Sequence, residues 1–333
     1  MYGSSIQLVF DSLSNFCLYS WTFLNYCAKL IWLVFVQKEG LIKMKKNSLL
    51  LIILAGVLWG TSGIFVNAWS SMGLTPLQIT AIRIMLSFPC FLIYALCFNK
   101  KALSLRLRDI PFYIGSGVTL FATAACYYYS MRQTSIATAV ILMYMAPVLV
   151  LGWSVAFFGE KLTAKKSISV LCMIVGCALV SGIVGGMKFN IIGIVMGLLS
   201  GVSYGIYNIL TKIEMRRGCN PITATLYSFL VAAALSVIVC DFSQIQVLLI
   251  SDTLKTVLLA VSHAVVTFVL PYFLYTISLK NLPAGVAAAM GVIEPMSATI
   301  FSIILFNEKL SLFSGVGIVL ILGAVLVLSR TDE

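Results

Sequence analysis

Apolar residues along this chain occur in successive long runs. From residue 48 onward each run is roughly twenty residues long, which is the length that an α-helix needs to cross the ~30 Å hydrocarbon core of a bilayer. Polar and charged residues are concentrated in the short segments between the runs. The pattern predicts an all-α polytopic membrane protein of about ten transmembrane helices. The predicted helices cover residues 48–68, 76–98, 109–129, 135–157, 166–184, 190–211, 221–240, 253–277, 284–306 and 312–329.

The composition makes a water-soluble fold implausible. Of the 333 residues, 61% are hydrophobic and 10% are charged, whereas soluble proteins carry about 25% charged residues. The segments between the runs are too short to bury a hydrophobic core of their own. Any function must therefore reside inside the helical bundle.

Basic residues are distributed unequally between the two sides of the membrane. The net charge of +11 would suit a nucleic-acid partner only if it were gathered on one soluble face, so no nucleic acid is expected. If residue 48 begins in the cytoplasm, the inner side holds far more Lys and Arg than the outer side. The inner residues are Lys43, Lys45, Lys46, Lys100, Lys101, Arg106, Arg108, Lys161, Lys165, Lys166, Lys212, Arg216, Arg217, Lys280 and Arg330, and the outer ones are Arg132, Lys188, Lys255 and Lys309. The positive-inside rule then predicts a cytoplasmic-membrane protein with both ends of the ten-helix core in the cytoplasm.

The first 43 residues stand apart from this pattern. Residues 16–36 are apolar, but Asn25 and Lys29 interrupt them near the middle. Three interpretations are open: an eleventh helix, a signal-like segment without an obvious small-residue cleavage site, or sequence that is not translated. We favour the third, because Met44 is followed by two lysines and the first uninterrupted run. Residues 38–40 can also be encoded by AAGGAGG, a ribosome-binding sequence.

An internal repeat relates the two halves of the remaining chain. At a constant offset of 148 positions, several residues of the first half recur in the second, among them Pro147 as Pro295. At an offset of 145 positions, Gly, Pro and Thr residues recur, among them Gly60 as Gly205. Shared apolar composition alone does not readily produce paired Pro and Gly residues at fixed offsets.

The repeat divides the chain into an extension (1–43), a first five-helix repeat (44–186) and a second one (187–333). Because five is an odd number of crossings, the second repeat must enter the membrane from the opposite side. Inverted repeats provide two conformations of similar energy, one open to each side, which is the structural basis of alternating access. The sequence therefore predicts a transporter built from two inverted five-helix repeats.

Motifs in both halves resemble the EamA-like branch of the drug/metabolite transporter superfamily. One is a helix with a mid-span proline that ends in Glu-Lys-Leu, from Pro147 to Leu162 and again from Glu294 to Leu310. Others are Leu58-Trp59-Gly60 in the first helix, and Pro76 and Arg83 in the second. The resemblance covers nearly all of the chain after the extension. It implies a ten-helix carrier that moves amino acids or related metabolites, often outward, in exchange for an ion gradient or by simple facilitation. No cofactor is expected.

Three ionisable residues lie deep inside predicted spans. Counting ~1.5 Å per residue from the nearest interface places Arg83 about 10 Å, and His263 and Glu294 about 15 Å, into the membrane. A charge at that depth is costly unless it is paired or hydrated, and so indicates function. Arg83 could bind a substrate carboxylate or neutralise Glu294, whereas Glu294 and His263 could accept a coupling proton. The alternatives are that Arg83 snorkels to the outer surface and that His263 only packs.

Other residues at similar depth are candidates for the walls of a cavity. Trp59, Tyr144 and Tyr204 lie too deep for an interfacial aromatic belt, and Asn208 follows Tyr204 by one helical turn. Glycines recur every four residues along the sixth predicted helix, where another backbone can approach closely or slide. These glycines are Gly193, Gly197, Gly201 and Gly205.

Two prolines near the middle of their helices, Pro147 and Pro295, predict irregular helices. Each proline removes one backbone hydrogen bond and frees the carbonyl four residues earlier, at Met143 and Gly291. Irregular backbone at this depth is tolerated where it is buried in protein or lines a wet cavity. The prolines therefore indicate either a substrate path or a kink that serves packing.

Two other functions compete with a carrier. An intramembrane enzyme needs a nucleophile with its base, or metal ligands, but the sequence has one His and no H-E-x-x-H, G-x-S-x-G or P-loop motif. No catalytic or metal-binding residue is therefore predicted. A channel also needs a polar path, although channels usually form it by symmetric assembly. The expected partners are lipid, a small-molecule substrate and a proton or other coupling ion, and a homodimer stays open as an alternative to a monomer.

Overall fold

The computed structural model describes residues 48–134, 139, 142–159, 161–180, 190–306 and 311–329. The N-terminal extension lies outside these residues, and so do Glu160, Glu308 and Lys309 of the repeated motif. Parts of the predicted helices 135–157 and 166–184 also lie outside them. The described residues belong to one compact unit of the chain, which begins at Ser48.

The described residues fold into α-helices joined by short connections. In the first half these helices are α1 (Ser48–Gly60), α2 (Ser62–Ser71), α3 (Pro76–Phe98), α4 (Ile110–Gln133), α5 (Ala146–Phe158) and α6 (Ala164–Val180). In the second half they are α7 (Ile191–Arg216), α8 (Pro221–Val239), α9 (Ser243–Ser251), α10 (Thr253–Ala264), α11 (Leu270–Ser278), α12 (Ala284–Met290), α13 (Ile293–Phe306) and α14 (Leu312–Ser329). A π-helical segment, Val265–Val269, joins α10 to α11.

Seven helical stretches of the described chain are long and apolar enough to cross a membrane. They are Ser48–Ser71, Pro76–Phe98, Leu107–Gln133, Ile191–Arg216, Pro221–Val239, Thr253–Ser278 and Ala284–Leu305. Two further apolar helices, Ala146–Phe158 and Leu312–Ala324, are shorter. The predicted class, a helical membrane protein with several spans, is therefore confirmed.

The outside of the bundle is apolar and its inside contains polar groups. Ile238, Ile250 and Leu312 are 78%, 85% and 81% exposed, whereas Glu214 and His263 are buried. In water this distribution would be unfavourable, but lipid tails accept apolar side chains and offer polar groups no partners. The distribution is therefore the one expected of a bundle surrounded by lipid.

The two halves form the same turn at matching positions. Gly73 and Gly218, which are 145 positions apart, have positive φ angles of 83° and 74°, a conformation that glycine adopts without a Cβ clash. In the first turn the Leu74 amide donates to the Trp69 carbonyl, and the matching bond is present in the second turn. Each turn leads through a polar N-cap residue into a helix that starts with proline. The local structure thus repeats together with the sequence.

Matching helices of the two halves pack on each other. α3 packs on its counterpart α8, and α6 packs on its counterpart α14. α1 packs on α13 and α7 packs on α5, which are equivalent contacts under the repeat. Contacts between equivalent elements are typical of a two-fold relation. The interface between the halves therefore includes α1, α5, α7 and α13 as well as the pairs α3–α8 and α6–α14.

Candidate functional site

Two broken helices lie at this interface. Pro147 lies in the first turn of α5, Pro295 lies in the first turn of α13, and turn residues precede both helices. Near the second break the backbone forms shorter-range bonds, because Gly291 donates to Ala288 at 3.2 Å and Glu294 donates to Gly291 at 3.0 Å. Proline lacks the amide that would continue the regular ladder. Each break therefore places irregular backbone inside the bundle.

Tyr144 connects the two breaks. It lies in the turn before α5 and is 2% exposed. Its hydroxyl lies 2.8 Å from Oε2 of Glu294 and 3.0 Å from the carbonyl oxygen of Gly291. Pro295 has no amide hydrogen to donate to that carbonyl, which accepts from the Glu294 amide instead, and the hydroxyl from the first half is its second donor. A tyrosine hydroxyl has one proton and donates it to one of these two oxygens at a time.

Tyr204 and Asn208 lie beside this pair on α7. A Cβ built on Gly291 would lie 3.2 Å from the Tyr204 hydroxyl, so the hydroxyl packs against the broken backbone. The Asn208 amide donates to the Tyr204 carbonyl at 2.7 Å, and its oxygen accepts a hydrogen bond from Tyr275. The structure thus brings together several of the predicted cavity residues. We refer to Glu294, Tyr144, Tyr204, Asn208 and Tyr275 as the glutamate cluster.

Trp59 lies between the glutamate cluster and a second polar group. Its ring centroid lies 5.6 Å from that of Tyr275 and 5.3 Å from that of Tyr272. Tyr272 contacts Phe268 at 4.6 Å between centroids. A continuous row of aromatic rings therefore runs from the glutamate cluster to the π-helical segment.

Arg83 lies at the far end of this aromatic row. The Cζ atom of its guanidinium lies 5.1 Å from the centroid of Phe268, and its Nη1 lies 3.5 Å from Oγ of Ser62. Arg83 and Glu294 influence each other electrostatically but do not form a contact ion pair. Direct neutralisation of Glu294, one of the two predicted roles, is therefore not what this conformation shows.

His263 is fully buried beside α2. Its ring stacks on Phe65 at 5.0 Å between centroids, and its Nδ1 accepts a hydrogen bond from Nε1 of Trp69 at 3.2 Å. The π-helical segment begins two residues later, and Pro271 follows it. A π-helical turn is rare and often marks a functional site. Because the contacts of His263 are with Phe65 and Trp69 of α2, His263 lies on the Arg83 side of the aromatic row and does not belong to the glutamate cluster.

The glycine face of α7 packs tightly on residues before and within α5, and its first glycine packs on the end of α4. A Cβ built on Gly201 would lie 2.8 Å from the carbonyl oxygen of Leu142, and one built on Gly205 would lie 3.0 Å from the Trp153 ring. Side chains at these positions would push α7 away from the first helix break. A Cβ built on Gly193 would lie 2.6 Å from Cγ2 of Thr134, after α4, and one built on Gly197 would lie 2.5 Å from Cδ1 of Leu142.

An equivalent glycine contact joins α1 to the second broken helix. A Cβ built on Gly56 would lie 2.8 Å from Ile293, and one built on Gly60 would lie 2.5 Å from Cβ of Ser297. Gly56 and Gly60 match Gly201 and Gly205 in the repeat. Each half therefore uses a glycine pair to hold the broken helix of the other half.

This division into two matching halves agrees with comparisons to known proteins. The profile of the EamA-like transporter family matches residues 46–182 and again residues 191–330. The chain belongs to the EamA-like transporter family. The resemblance predicted from the motifs of this EamA-like transporter is thereby confirmed, together with its two-repeat organisation.

Individual relatives of this EamA-like transporter match along nearly their whole length. An uncharacterized transporter of Archaeoglobus fulgidus is 29% identical over 283 residues, which cover 84% of this chain and 95% of the relative. The uncharacterized transporter YwfM of Bacillus subtilis is 25% identical over 289 residues, which cover 85% of this chain and 94% of the relative. A solved crystal structure superimposes with a TM-score of 0.70 at 18% identity, covering 85% of this chain and 96% of the other, and shows that the fold is shared.

Several residues at the site of this EamA-like transporter were not selected from the sequence. Tyr275 is the repeat partner of Tyr127, so the internal repeat held a signal for it. Ser62 and Trp69 gave no such signal, because their roles follow from packing against distant residues. Lys212 was assigned to an inner loop but lies within α7, where its Nζ is 2.6 Å and 2.5 Å from two carbonyl oxygens after α11.

Proposed function

We propose that this EamA-like transporter is a secondary carrier that moves a small metabolite, an amino acid or a related compound, out of the cell by alternating access. The contact between Glu294 and Tyr144 carries the proposal. It joins a carboxylate at mid-span to a residue of the other half, between two broken helices. A group placed there changes its surroundings whenever the two halves move relative to each other, and so can bind and release a solute or a proton.

The proposed architecture is ten spans in two inverted repeats, with both ends of the core in the cytoplasm. The packing of equivalent helices on each other supports the two-fold relation. The predicted odd number of spans in each repeat supports the inversion, and the unequal distribution of Lys and Arg supports the orientation.

The proposed cavity is closed in the described conformation. Trp59, Tyr144 and Tyr204 are 8%, 2% and 8% exposed, and Tyr144 and Tyr204 lie against the second helix break at Gly291. Opening requires that the Tyr144 bonds to Glu294 and Gly291 separate. A substrate with hydrogen-bonding groups, or a proton on Glu294, offsets the loss of these bonds, because buried polar groups are costly when they lack partners.

Transport by the purified full-length protein in proteoliposomes tests the proposal. Amino acids and related metabolites are screened for counterflow, and the Glu294→Gln variant is then measured across pH. We expect saturable transport that falls by at least about 10-fold in this variant, because about 1.4 kcal/mol of lost transition-state stabilisation gives that factor. The Glu214→Gln variant is the control, since Glu214 is a buried carboxylate that accepts a bond from Ser116 outside the glutamate cluster.

Two results would count against the proposal. Wild-type rates in Glu294→Gln at every pH would remove Glu294 from the mechanism. An ohmic current in place of saturable counterflow would indicate a channel.

A further inference from the structure

Arg83 and His263 each present a buried hydrogen-bond donor that nothing in the described chain satisfies. The unpartnered atoms are Nε of Arg83 and Nε2 of His263. Buried polar atoms in native proteins are nearly always hydrogen-bonded, so each exception calls for an explanation. Two such atoms on the same side of the aromatic row indicate a shared cause.

The identity of the His263 donor follows from its other nitrogen. Trp69 Nε1 has only a hydrogen to donate, so Nδ1 of His263 must be the acceptor in their 3.2 Å bond. In the neutral imidazole the hydrogen then lies on Nε2. The unpartnered atom of His263 is therefore a donor, and the missing partner is an acceptor.

One face of α2 holds both residues. Ser62 contacts the Arg83 guanidinium, and Phe65, three residues later, stacks on the His263 ring. Residues three positions apart lie on the same side of a helix. Phe268, which packs against Arg83, lies five residues after His263 in the same span. α2 therefore contacts both side chains, and both lie in the region between α2, α3 and the π-helical segment.

The charge of Arg83 favours an anion over a neutral acceptor at this place. Within the described residues Arg83 has no carboxylate partner, and the imidazole beside it contributes a second donor but no negative charge. A carboxylate accepts from both donors and compensates the guanidinium. A water molecule would supply an acceptor but would leave the cation unpaired.

We propose that Arg83 and His263 form an anion subsite that takes the carboxylate group of the transported metabolite. This assignment rests on the proposed transport function, and it specifies the chemical group at one end of the transported metabolite. The aromatic row then separates the anion subsite from Glu294, whose carboxylate suits a cationic group. A substrate with a carboxylate at one end and an amine at the other matches both the anion subsite and the Glu294 carboxylate.

The single histidine of the chain provides a direct test. Full-length protein labelled with ¹⁵N-histidine and held in lipid nanodiscs gives one imidazole signal set, which is titrated with sodium acetate, glycine, acetamide and sodium chloride. We expect a saturable shift of the Nε2 signal with acetate and glycine but not with acetamide or chloride. The apparent Kd for acetate should rise at least 10-fold in Arg83→Gln and stay unchanged in Arg132→Gln, which alters an exposed arginine.

A second variant keeps the test valid if Arg83→Gln does not fold. Arg83→Lys retains the charge but loses the Nε donor, and acetate should bind it about 10-fold more weakly than wild type, because lysine cannot reproduce the planar fork of arginine. No acetate-dependent shift in wild type, or equal shifts with acetate and acetamide, would overturn the proposal. An unchanged acetate Kd in either Arg83 variant would also overturn it.

The binding and transport experiments distinguish a failure of the anion subsite from a failure of the proposed function. If acetate leaves His263 unaffected while Glu294-dependent transport persists, the anion subsite is wrong and the proposed function stands. If acetate binds at His263 while no solute is carried, the proposed function is wrong and the subsite stands.

Discussion

At the Tyr144 hydroxyl, one proton is shared between two acceptors of the other half, the Glu294 carboxylate and the Gly291 carbonyl. In the proposed carrier mechanism, the bond to the carboxylate stabilises the closed arrangement when Glu294 is ionised. The carbonyl is the alternative acceptor when Glu294 binds a solute or a proton. The Tyr144 hydroxyl would then link the occupancy of Glu294 to the contact between the two helix breaks.

Replacing Tyr144 with phenylalanine removes this link. We expect Tyr144→Phe to weaken the closed state by about 1.5–3 kcal/mol, the usual contribution of a hydrogen bond to a charged group. Counterflow should slow and the midpoint of thermal unfolding should fall. Tyr227→Phe is the control, because it loses one hydroxyl bond, 2.9 Å to the Leu103 carbonyl, away from the site. Equal behaviour of the two variants would show that the Tyr144 hydroxyl has no special role.

Counting residues along each span selected Arg83, His263 and Glu294 as candidates but did not identify their partners. In the structure His263 is buried, and Arg83 and Glu294 are partly buried. The bond between Trp69 and His263 joins positions 194 apart, and no local pattern encodes such a pairing. The partners of buried polar groups depend on how the helices pack, which periodicity does not reveal.

At the scale of helices, close packing at glycine holds the broken segments in place. α1 contacts α13 through Gly56 and Gly60, and α7 contacts α5 and the residues before it through Gly201 and Gly205. The spacing of glycines in α7 was visible in the sequence. Its counterpart in α1 was visible only through the repeat, because two glycines are too few to define a motif.

An added methyl group at Gly60 should disrupt the α1–α13 contact. Gly60→Ala would bring its Cβ within 2.5 Å of Ser297, and overpacking of this kind costs about 1–3 kcal/mol. Gly63→Ala is the matched control, because a Cβ there meets nothing within 4 Å and alanine favours the helix by about 0.5–1 kcal/mol. Thermal unfolding in detergent compares the two variants. A Gly60→Ala protein as stable as Gly63→Ala would contradict the packing described for α1.

Two elements had no counterpart in the predicted pattern. α9 (Ser243–Ser251) is too short to appear as a span, yet its apolar side chains Val247 and Ile250 are 55% and 85% exposed, as on a helix that lies along the membrane surface. The π-helical segment before Pro271 is as hydrophobic as an ordinary span, so the hydropathy pattern does not distinguish it from an α-helix. Hydropathy reports the length of an apolar stretch and not the geometry of its backbone.

For the whole molecule, the internal repeat was the most informative feature of the sequence. It indicated two equivalent halves, and the matching turns at Gly73 and Gly218 follow the same register. It did not indicate that α1 would pack on α13 or that Tyr144 would reach Glu294. Those contacts depend on how one half is placed against the other, which neither half encodes alone.

The sidedness of Lys161 and Lys309 tests most directly whether the two halves are inverted around the glutamate cluster. Single cysteines replace each lysine in a cysteine-free, transport-competent background, and a membrane-impermeant thiol reagent is applied to intact and permeabilised cells. We predict labelling at 309 in intact cells and at 161 only after permeabilisation, because an odd number of spans separates the matched positions. Labelling of both positions from the same side would contradict the account.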